Sequence, residues 1–301
     1  QSATLTPNSN VVTDTPLTCS ATAVDPDGGT VNYTYNWFLG GQTIANGSTF
    51  TADASTTDVG DSIECIVIAV DSDGDVASST SNSVTIENTL PTIQSAILSP
   101  SSVYTNDSIS AAITATDIDG DTVSLTYEWH RIDASLSGAD ILISSGTGSA
   151  FSSITGVDFD RDDQVYVLVT ADDGRGGSIV SPTQSNSVDV LNSAPVAATA
   201  VITGASTPPY DGVDDLTCSL NTGGSDIDAD ALTYTYEWID PNGSIQQTYS
   251  NTTDTTDVFL GSGTTAGTWT CQVTTSDGSL SAYSTASITV ESLWDGTREF
   301  S

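Results

Sequence analysis

Apolar and polar residues alternate along most of the chain. Leu17, Cys19 and Ala21 are separated by Thr18 and Ser20, and the same spacing returns at Ile109, Ala111, Ile113 and at Leu216, Cys218, Leu220. A period of two places each set on one face of an extended strand. A second run follows each of these: Val31, Tyr33, Tyr35, Trp37; Val123, Leu125, Tyr127, Trp129; Leu232, Tyr234, Tyr236, Trp238. Between them lie Thr34, Asn36, Thr126, Glu128, Thr235 and Glu237, the pattern of a strand with one face on a core and one in water. A third run comprises Ile63, Cys65, Val67, Ala69; Val165, Val167, Val169, Ala171; and Trp269, Cys271, Val273, Thr275. A last strand is expected near 83–86, 187–190 and 286–290. Gly, Asp, Asn and Ser turns separate the runs and helical periodicity is missing, so the pattern predicts an all-β fold built from sandwiches.

The runs recur with a period of about 100 residues, the mark of a tandem repeat. Gln1-Ser2-Ala3-Thr4-Leu5-Thr6-Pro7 matches Gln94-Ser95-Ala96-Ile97-Leu98-Ser99-Pro100. Boundaries follow: repeat 1 over 1–88, repeat 2 over 89–192, repeat 3 over 193–291, and a tail over 292–301. The joints, Glu87-Asn88-Thr89-Leu90-Pro91 and Asn192-Ser193-Ala194-Pro195, are short and carry Pro, which stiffens them. Three sandwiches in an extended, semi-rigid rod are therefore expected. The tail departs from the repeat. Its Leu293, Trp294 and Phe300 have no repeat core to enter. They read either as a frayed end or as a segment that docks on a neighbouring molecule.

Composition narrows the functional classes. The formal charge is −35 over 301 residues, with four Arg and no Lys. Such a chain is repelled by nucleic acid and by anionic membranes, and no apolar run is long enough to span a bilayer. It also repels itself, so it needs cations to pack tightly. There is no Met, so Gln1 is not a translation start and a processed product or fragment is expected. Asn32, Asn46, Asn106, Asn242 and Asn251 begin Asn-x-Ser/Thr sequons, weak individual signals for glycans in so Ser/Thr-rich a sequence. His130 is the single His, expected to be exposed, so a catalytic Ser/His/Asp set is poorly supported and the chain reads as a non-enzyme. Without Lys, a Lys–Asn isopeptide cross-link is excluded.

Leu-Thr-Cys-Ser-Ala-Thr-Ala-Val-Asp-Pro-Asp-Gly (17–28), Tyr-Thr-Tyr-Asn-Trp (33–37) and the Asn-x-x-Pro joints resemble the tandem immunoglobulin-like, PKD-like or cadherin-like domains of prokaryotic extracellular proteins. The resemblance implies three tandem immunoglobulin-like β-sandwiches, often stabilised by Ca²⁺, in secreted or surface-bound stalks, adhesins, matrix or filament proteins. It also implies Cys19–Cys65 and Cys218–Cys271 disulfides packed on Trp37 and Trp238, the alternative being four free thiols. Ala111 and Val167 stand at the cysteine positions of the middle repeat. Paired cysteines place the chain outside the cell or on its surface.

The acidic turns carry the candidate chemistry. Repeat 1 has Asp25 and Asp27, then Asp71, Asp73 and Asp75; repeat 2 has Asp117, Asp119 and Asp121, then Asp172 and Asp173; repeat 3 has Asp226, Asp228 and Asp230, then Asp277. In the implied fold both turns of a repeat lie at one end, facing the preceding repeat. Carboxylates gathered there repel one another unless a cation sits among them. Hard oxygens at alternate positions, with Gly at the bend, suit Ca²⁺, and Asn88, Asn192 and joint carbonyls would add ligands. The competing reading is that Asp and Gly merely cap turns. The expected role is a structural subunit of an extracellular filament, tube or cell-surface assembly, formed by self-assembly of identical subunits and coated with glycans. The alternative is an adhesin stalk or carbohydrate-binding module of a larger surface protein.

Overall fold

The computed structural model describes residues 1–149, 152–176 and 182–293. Repeat 1 contains β1 (Ser2–Thr6), β2 (Pro16–Thr22), β3 (Asn32–Leu39), β4 (Gln42–Asn46), β5 (Thr49–Thr51), β6 (Ser62–Val70), β7 (Val76–Thr80) and β8 (Val84–Thr85). Repeat 2 contains β9 (Thr92–Ser99), β10 (Ser102–Tyr104), β11 (Ser108–Thr116), β12 (Ser124–Asp133), β13 (Ala139–Thr147), β14 (Ser153–Thr155), β15 (Gln164–Asp172), β16 (Thr183–Gln184) and β17 (Val188–Leu191). Repeat 3 contains β18 (Thr199–Gly204), β19 (Leu216–Thr222), β20 (Thr233–Ile239), β21 (Ile245–Thr252), β22 (Thr256–Phe259), β23 (Gly267–Ser276) and β24 (Ser281–Val290).

Each repeat stacks two sheets. The smaller ones run β1-β2-β5, β9-β11-β14 and β18-β19-β22. The larger ones are centred on β3-β6, β12-β15 and β20-β23, with β4, β13 and β21 on one side. After its first strand, each repeat crosses to the second sheet. The crossing is seen in the parallel contacts Val11↔Ile86, Val103↔Val190 and Tyr210↔Glu291. The three cores follow the chain: one from Leu5 to Ile86, one from Leu98 to Val190, one from Ile202 to Val290.

Alternation explains why these cores form. Trp37, Trp129 and Trp238 are completely buried, and their partners across the sheet are Cys65, Val167 and Cys271. In the other sheet Leu5 pairs with Cys19, Leu98 with Ala111, and Ile202 with Cys218. One register thus runs through all three repeats. Disulfides join Cys19 to Cys65 and Cys218 to Cys271. In repeat 2, Val167 is buried and Ala111 packs against the same core, filling the space apolar side chains leave when the bridge is absent. The water-facing residues of the second run divide: Thr34 and Glu128 are exposed, while Asn36, Thr126, Thr235 and Glu237 are half-buried.

Two features escaped the sequence reading. Asn82, between β7 and β8, accepts a hydrogen bond from the Leu5 N–H at 2.9 Å and donates to the Leu5 carbonyl at 3.3 Å. Asn186 does the same for Leu98, at 2.7 and 3.3 Å. Beside them the Ser81 and Ser185 hydroxyls accept from the Cys65 and Val167 amides. A side-chain amide thus stitches the first strand to the opposite sheet where the last strand breaks. The signal was Ser-Asn-Ser-Val, present at 81–84 and 185–188. Repeat 3 lacks it: β24 is unbroken, and Thr275 and Ser284 bond the Ala198 backbone instead.

His130 is the second. It was expected to be exposed, but only 16% of its side chain is accessible. The ring stacks on Tyr166 with centroids 5.1 Å apart, and Nδ1 lies 2.9 Å from Asp140 Oδ1. The Tyr166 hydroxyl donates to Asp140 Oδ2 at 2.6 Å. Burial, then this hydrogen bond and the carboxylate's charge, push the phenol up to about 12, so it remains a donor. The outward period-two position of His130 fails to predict exposure because Tyr166 of β15 covers its ring and Asp140 of β13 meets its Nδ1.

Candidate metal centres at the joints between repeats

Asp-x-Asp-Gly folds as a tight turn. The first carboxylate accepts the amide two residues on, as Asp25 does from Asp27, Asp117 from Asp119 and Asp226 from Asp228, at 2.8–2.9 Å. Gly28 and Gly120 then take positive φ, and Ala229 does so at the same place in repeat 3. The turn-capping chemistry is therefore present in all three repeats. What differs is where the remaining oxygens go.

At the first joint, Asp117, Asp119 and Asp121 offer carboxylate oxygens all within 4.8 Å of one another. The foot of repeat 1 closes over them. Thr13 donates its hydroxyl to Asp119 Oδ1, and the Thr89 amide donates to Asp119 Oδ2 at 2.6 Å. Asn88 donates to Asp173 Oδ2 at 2.8 Å; this bond, first among several, holds the Asp173 carboxyl below its usual range. Arg175 donates to Asp121 Oδ1 at 2.7 Å from within repeat 2. Four buried oxygens at this joint lack a partner: Asp117 Oδ2, Asp121 Oδ2, Asn88 Oδ1 and Thr89 Oγ1. Desolvation, with the neighbouring Asp119 and Asp121 charges adding to it, raises the Asp117 carboxyl above the usual carboxylate range. Asp172, expected in the same cluster, spends Oδ1 on the Gly174 amide.

At the second joint the converging set is Asp226, Asp230 and Asp277. Asp228 instead accepts the Ser193 amide at 2.6 Å, the counterpart of Thr89 on Asp119. Asn192 donates to Asp277 Oδ2 at 2.9 Å, as Asn88 does to Asp173. Backbone N–H groups of the hairpin, chiefly Leu280, then Asn192 and more weakly Arg161, keep the Asp277 carboxyl below its usual range. Here Arg161 reaches across from repeat 2 to Asp230 Oδ2 and to Asn192 Oδ1. One buried oxygen, Asp226 Oδ2, is unpartnered.

In repeat 1 the carboxylates stay apart. Asp25 caps Asp27 and Gly29, and Asp71 caps Asp73 and Asp75. Asp25, Asp27, Asp71 and Asp75 line an open cleft with Val24 and Val76. Among the described residues no three of them converge as at the joints.

The oxygen sets at the joints fit a hard cation. Unpaired buried carboxylate oxygens cost free energy in the absence of a positive charge, and carboxylate, amide and hydroxyl oxygens are the donor types Ca²⁺ takes. Asp117, Asp121, Asn88 and Thr89 would hold it at the first joint.

The sequon residues Asn32, Asn46, Asn106, Asn242 and Asn251 are all exposed. Leu293 is exposed too, its amide donating to Asp211; Trp294 and Phe300 lie outside the described residues. No helix among the described residues is long and apolar enough to cross a membrane.

No family model and no curated protein matches the chain. Among solved structures it is similar to a Ca²⁺-stabilised adhesin with which an Antarctic bacterium binds ice, at 18% identity over 96% of this chain and 73% of that one, TM-score 0.38. It is also similar to the FN1–FN3 domains of chicken CNTN1, at 10% identity over 93% and 95%, TM-score 0.27. A third is the three N-terminal domains of the Highly Immunogenic Outer Capsid protein of bacteriophage RB49, at 15% identity over 97% and 99%, TM-score 0.27. At these identities and scores none of them bears on what this chain does.

Proposed function

We propose that the chain is an extracellular structural protein: a stiff string of immunoglobulin-like sandwiches, with Ca²⁺ at a joint between them, serving as a subunit of a filament, tube or surface assembly. The observation that carries this reading is the double grip at each joint. At both joints, with the same chemistry, the last residue of one repeat supplies an Asn side chain and the joint residue after it an amide N–H to the acidic turns of the next repeat. A cation among the unpaired oxygens of the first joint would neutralise the cluster and fix the two repeats against each other. A chain of charge −35 has a general need for such counter-ions.

Assembly of copies is part of the proposal. β21 is an eight-residue end strand of its sheet, mostly exposed, and offers an edge for strand addition. Exposed sequons leave room for a glycan coat. The stalk reading shares the stiff joints but needs no contact between copies. A carbohydrate-binding role is less favoured, because Trp37, Trp129, Trp238 and Trp269 are all buried and leave no Trp platform among the described residues.

The test is small-angle scattering of the purified chain in Ca²⁺ and in chelator, with native mass spectrometry for bound ions. The expected outcome is a longer, better-defined particle with Ca²⁺ and a shorter average one without it. Unchanged scattering with no bound Ca²⁺ removes the calcium lock. A strict monomer at high concentration in Ca²⁺ removes assembly in favour of the stalk.

A further inference from the structure

The two joints are built on one plan but differ at a position on the foot. In repeat 1 the loop beneath the core runs Asp58-Val59-Gly60-Asp61; in repeat 2 it runs Asp160-Arg161-Asp162-Asp163. Their backbones match bond for bond. Gly60 N–H reaches the Ile86 carbonyl and Asp162 N–H the Val190 carbonyl, both at 2.9 Å. The Ile86 amide returns to Asp61 O and the Val190 amide to Asp163 O, also both at 2.9 Å. Gly60 and Asp162 share positive φ. Val59 and Arg161 therefore occupy equivalent positions, each on the foot that faces the next acidic turn.

Arg161 uses that position. Its Nη1 donates to Asn192 Oδ1 at 2.8 Å and pairs with Asp230 of the following repeat. Asn192 is the equivalent of Asn88, whose Oδ1 is buried without a partner. The guanidinium thus satisfies at the second joint what is left open at the first. The cation that does lie at the first joint, Arg175, hydrogen-bonds only Asp121 of its own repeat, feels Asp58 of repeat 1 through charge alone, and leaves the Asn88 oxygen unpartnered. The loop carrying Arg161 is itself held in place. Arg131 donates to the Asp158 carbonyl at 3.1 Å and pairs with the buried carboxylates Asp133 and Asp163, at 2.9 and 3.5 Å.

We propose that Arg161 is the resident counter-ion of the second joint, standing where a divalent cation stands at the first, so that the two joints differ in their need for calcium. The inference rests on the calcium reading of the first joint. Stripping the ion loosens repeat 1 against repeat 2 and leaves repeat 2 fixed to repeat 3. The molecule then has one calcium-gated joint and one permanently fixed joint.

Hydrogen–deuterium exchange on the full chain reads both joints at once, through peptides covering 87–91 with 117–121 and 192–195 with 226–230. In the unaltered chain, chelator should speed exchange at the first set by about tenfold, the scale of losing one charged hydrogen-bonding partner, and leave the second set within about twofold. Arg161→Val should make the second joint respond to chelator like the first, Arg161→Lys should restore part of the protection, and Val59→Arg should blunt the response of the first joint. Equal chelator responses at both joints of the unaltered chain, or an Arg161→Val chain whose second joint is unmoved, overturn the proposal. If neither joint of the unaltered chain responds and no Ca²⁺ binds, the calcium reading fails. Arg161 is then judged in calcium-free buffer alone, where faster exchange at 192–195 in Arg161→Val sustains its role and unchanged exchange ends it.

Discussion

Asp117 shows how a single residue can carry opposite energetic signs. Its Oδ1 caps the turn while its Oδ2 is buried unpaired beside two further carboxylates. Desolvation raises its pKa above the unfolded value. Without a cation, the folded state therefore binds the proton more tightly than the unfolded state. The penalty is present at neutral pH and is relieved as pH falls through the raised value. Asp117→Asn keeps the capping oxygen and removes the charge. In chelator at pH 7 this variant should be more stable, by on the order of 1 kcal/mol. In Ca²⁺ it should be less stable than the parent, having lost a ligand. Thermal melts in the two buffers check the crossing; a variant unchanged in both would show that the carboxylate is only a cap.

The elements were legible where periodicity speaks and silent where single polar side chains do the joining. β3, β12 and β20 could be read from Tyr-x-Trp alternation because burying an aromatic on every second position leaves little freedom of register. The Asn82 clamp could not. Asn82 is itself largely exposed and sits among Ser and Thr, and its partner Leu5 lies 77 residues away. Only the folded sandwich brings a broken last strand beside the first. Asn82→Ala leaves the backbone N–H and carbonyl of a completely buried residue, Leu5, unsatisfied. Loss of about 1–3 kcal/mol from repeat 1 is expected, measured by chemical denaturation with Trp37 fluorescence. The same change at Ser83, one residue on, should cost far less. The joints were half legible: Asn88 and Asn192 stood out beside Pro, but Arg161 gave no local sign of the Asp230 it meets 69 residues later.

For the molecule as a whole, three cores in series with little shared packing make stability a sum of nearly separate parts. The extensive strand-to-strand packing stays within each repeat. Two of the three parts carry a disulfide, closing sequence separations of 46 and 53 residues. Each bridge is worth about 4 kcal/mol by the chain-entropy argument. Reduction should therefore lower the unfolding of repeats 1 and 3 and leave repeat 2 where it was. Calorimetry with and without a thiol reductant checks this: one transition unmoved and the others shifted down. A uniform shift of everything would mean that the repeats unfold as one unit. The sequence spoke to this scale through the replacement of both cysteines at once by Ala111 and Val167, which preserves the core that a lone replacement would have left with a stranded thiol.

The foot of each repeat and the top of the next are matched, and the matching is not interchangeable. Thr13 and Thr89 suit Asp119; Arg161 and Ser193 suit Asp230 and Asp228. Shuffling the modules would set Val59 over Asp230 and a guanidinium over Asp117, Asp119 and Asp121. Linear order is thus written into the seams rather than the beads, and whoever trims or reorders this protein must cut inside a sandwich's neighbour, not at the proline, to carry a seam away whole.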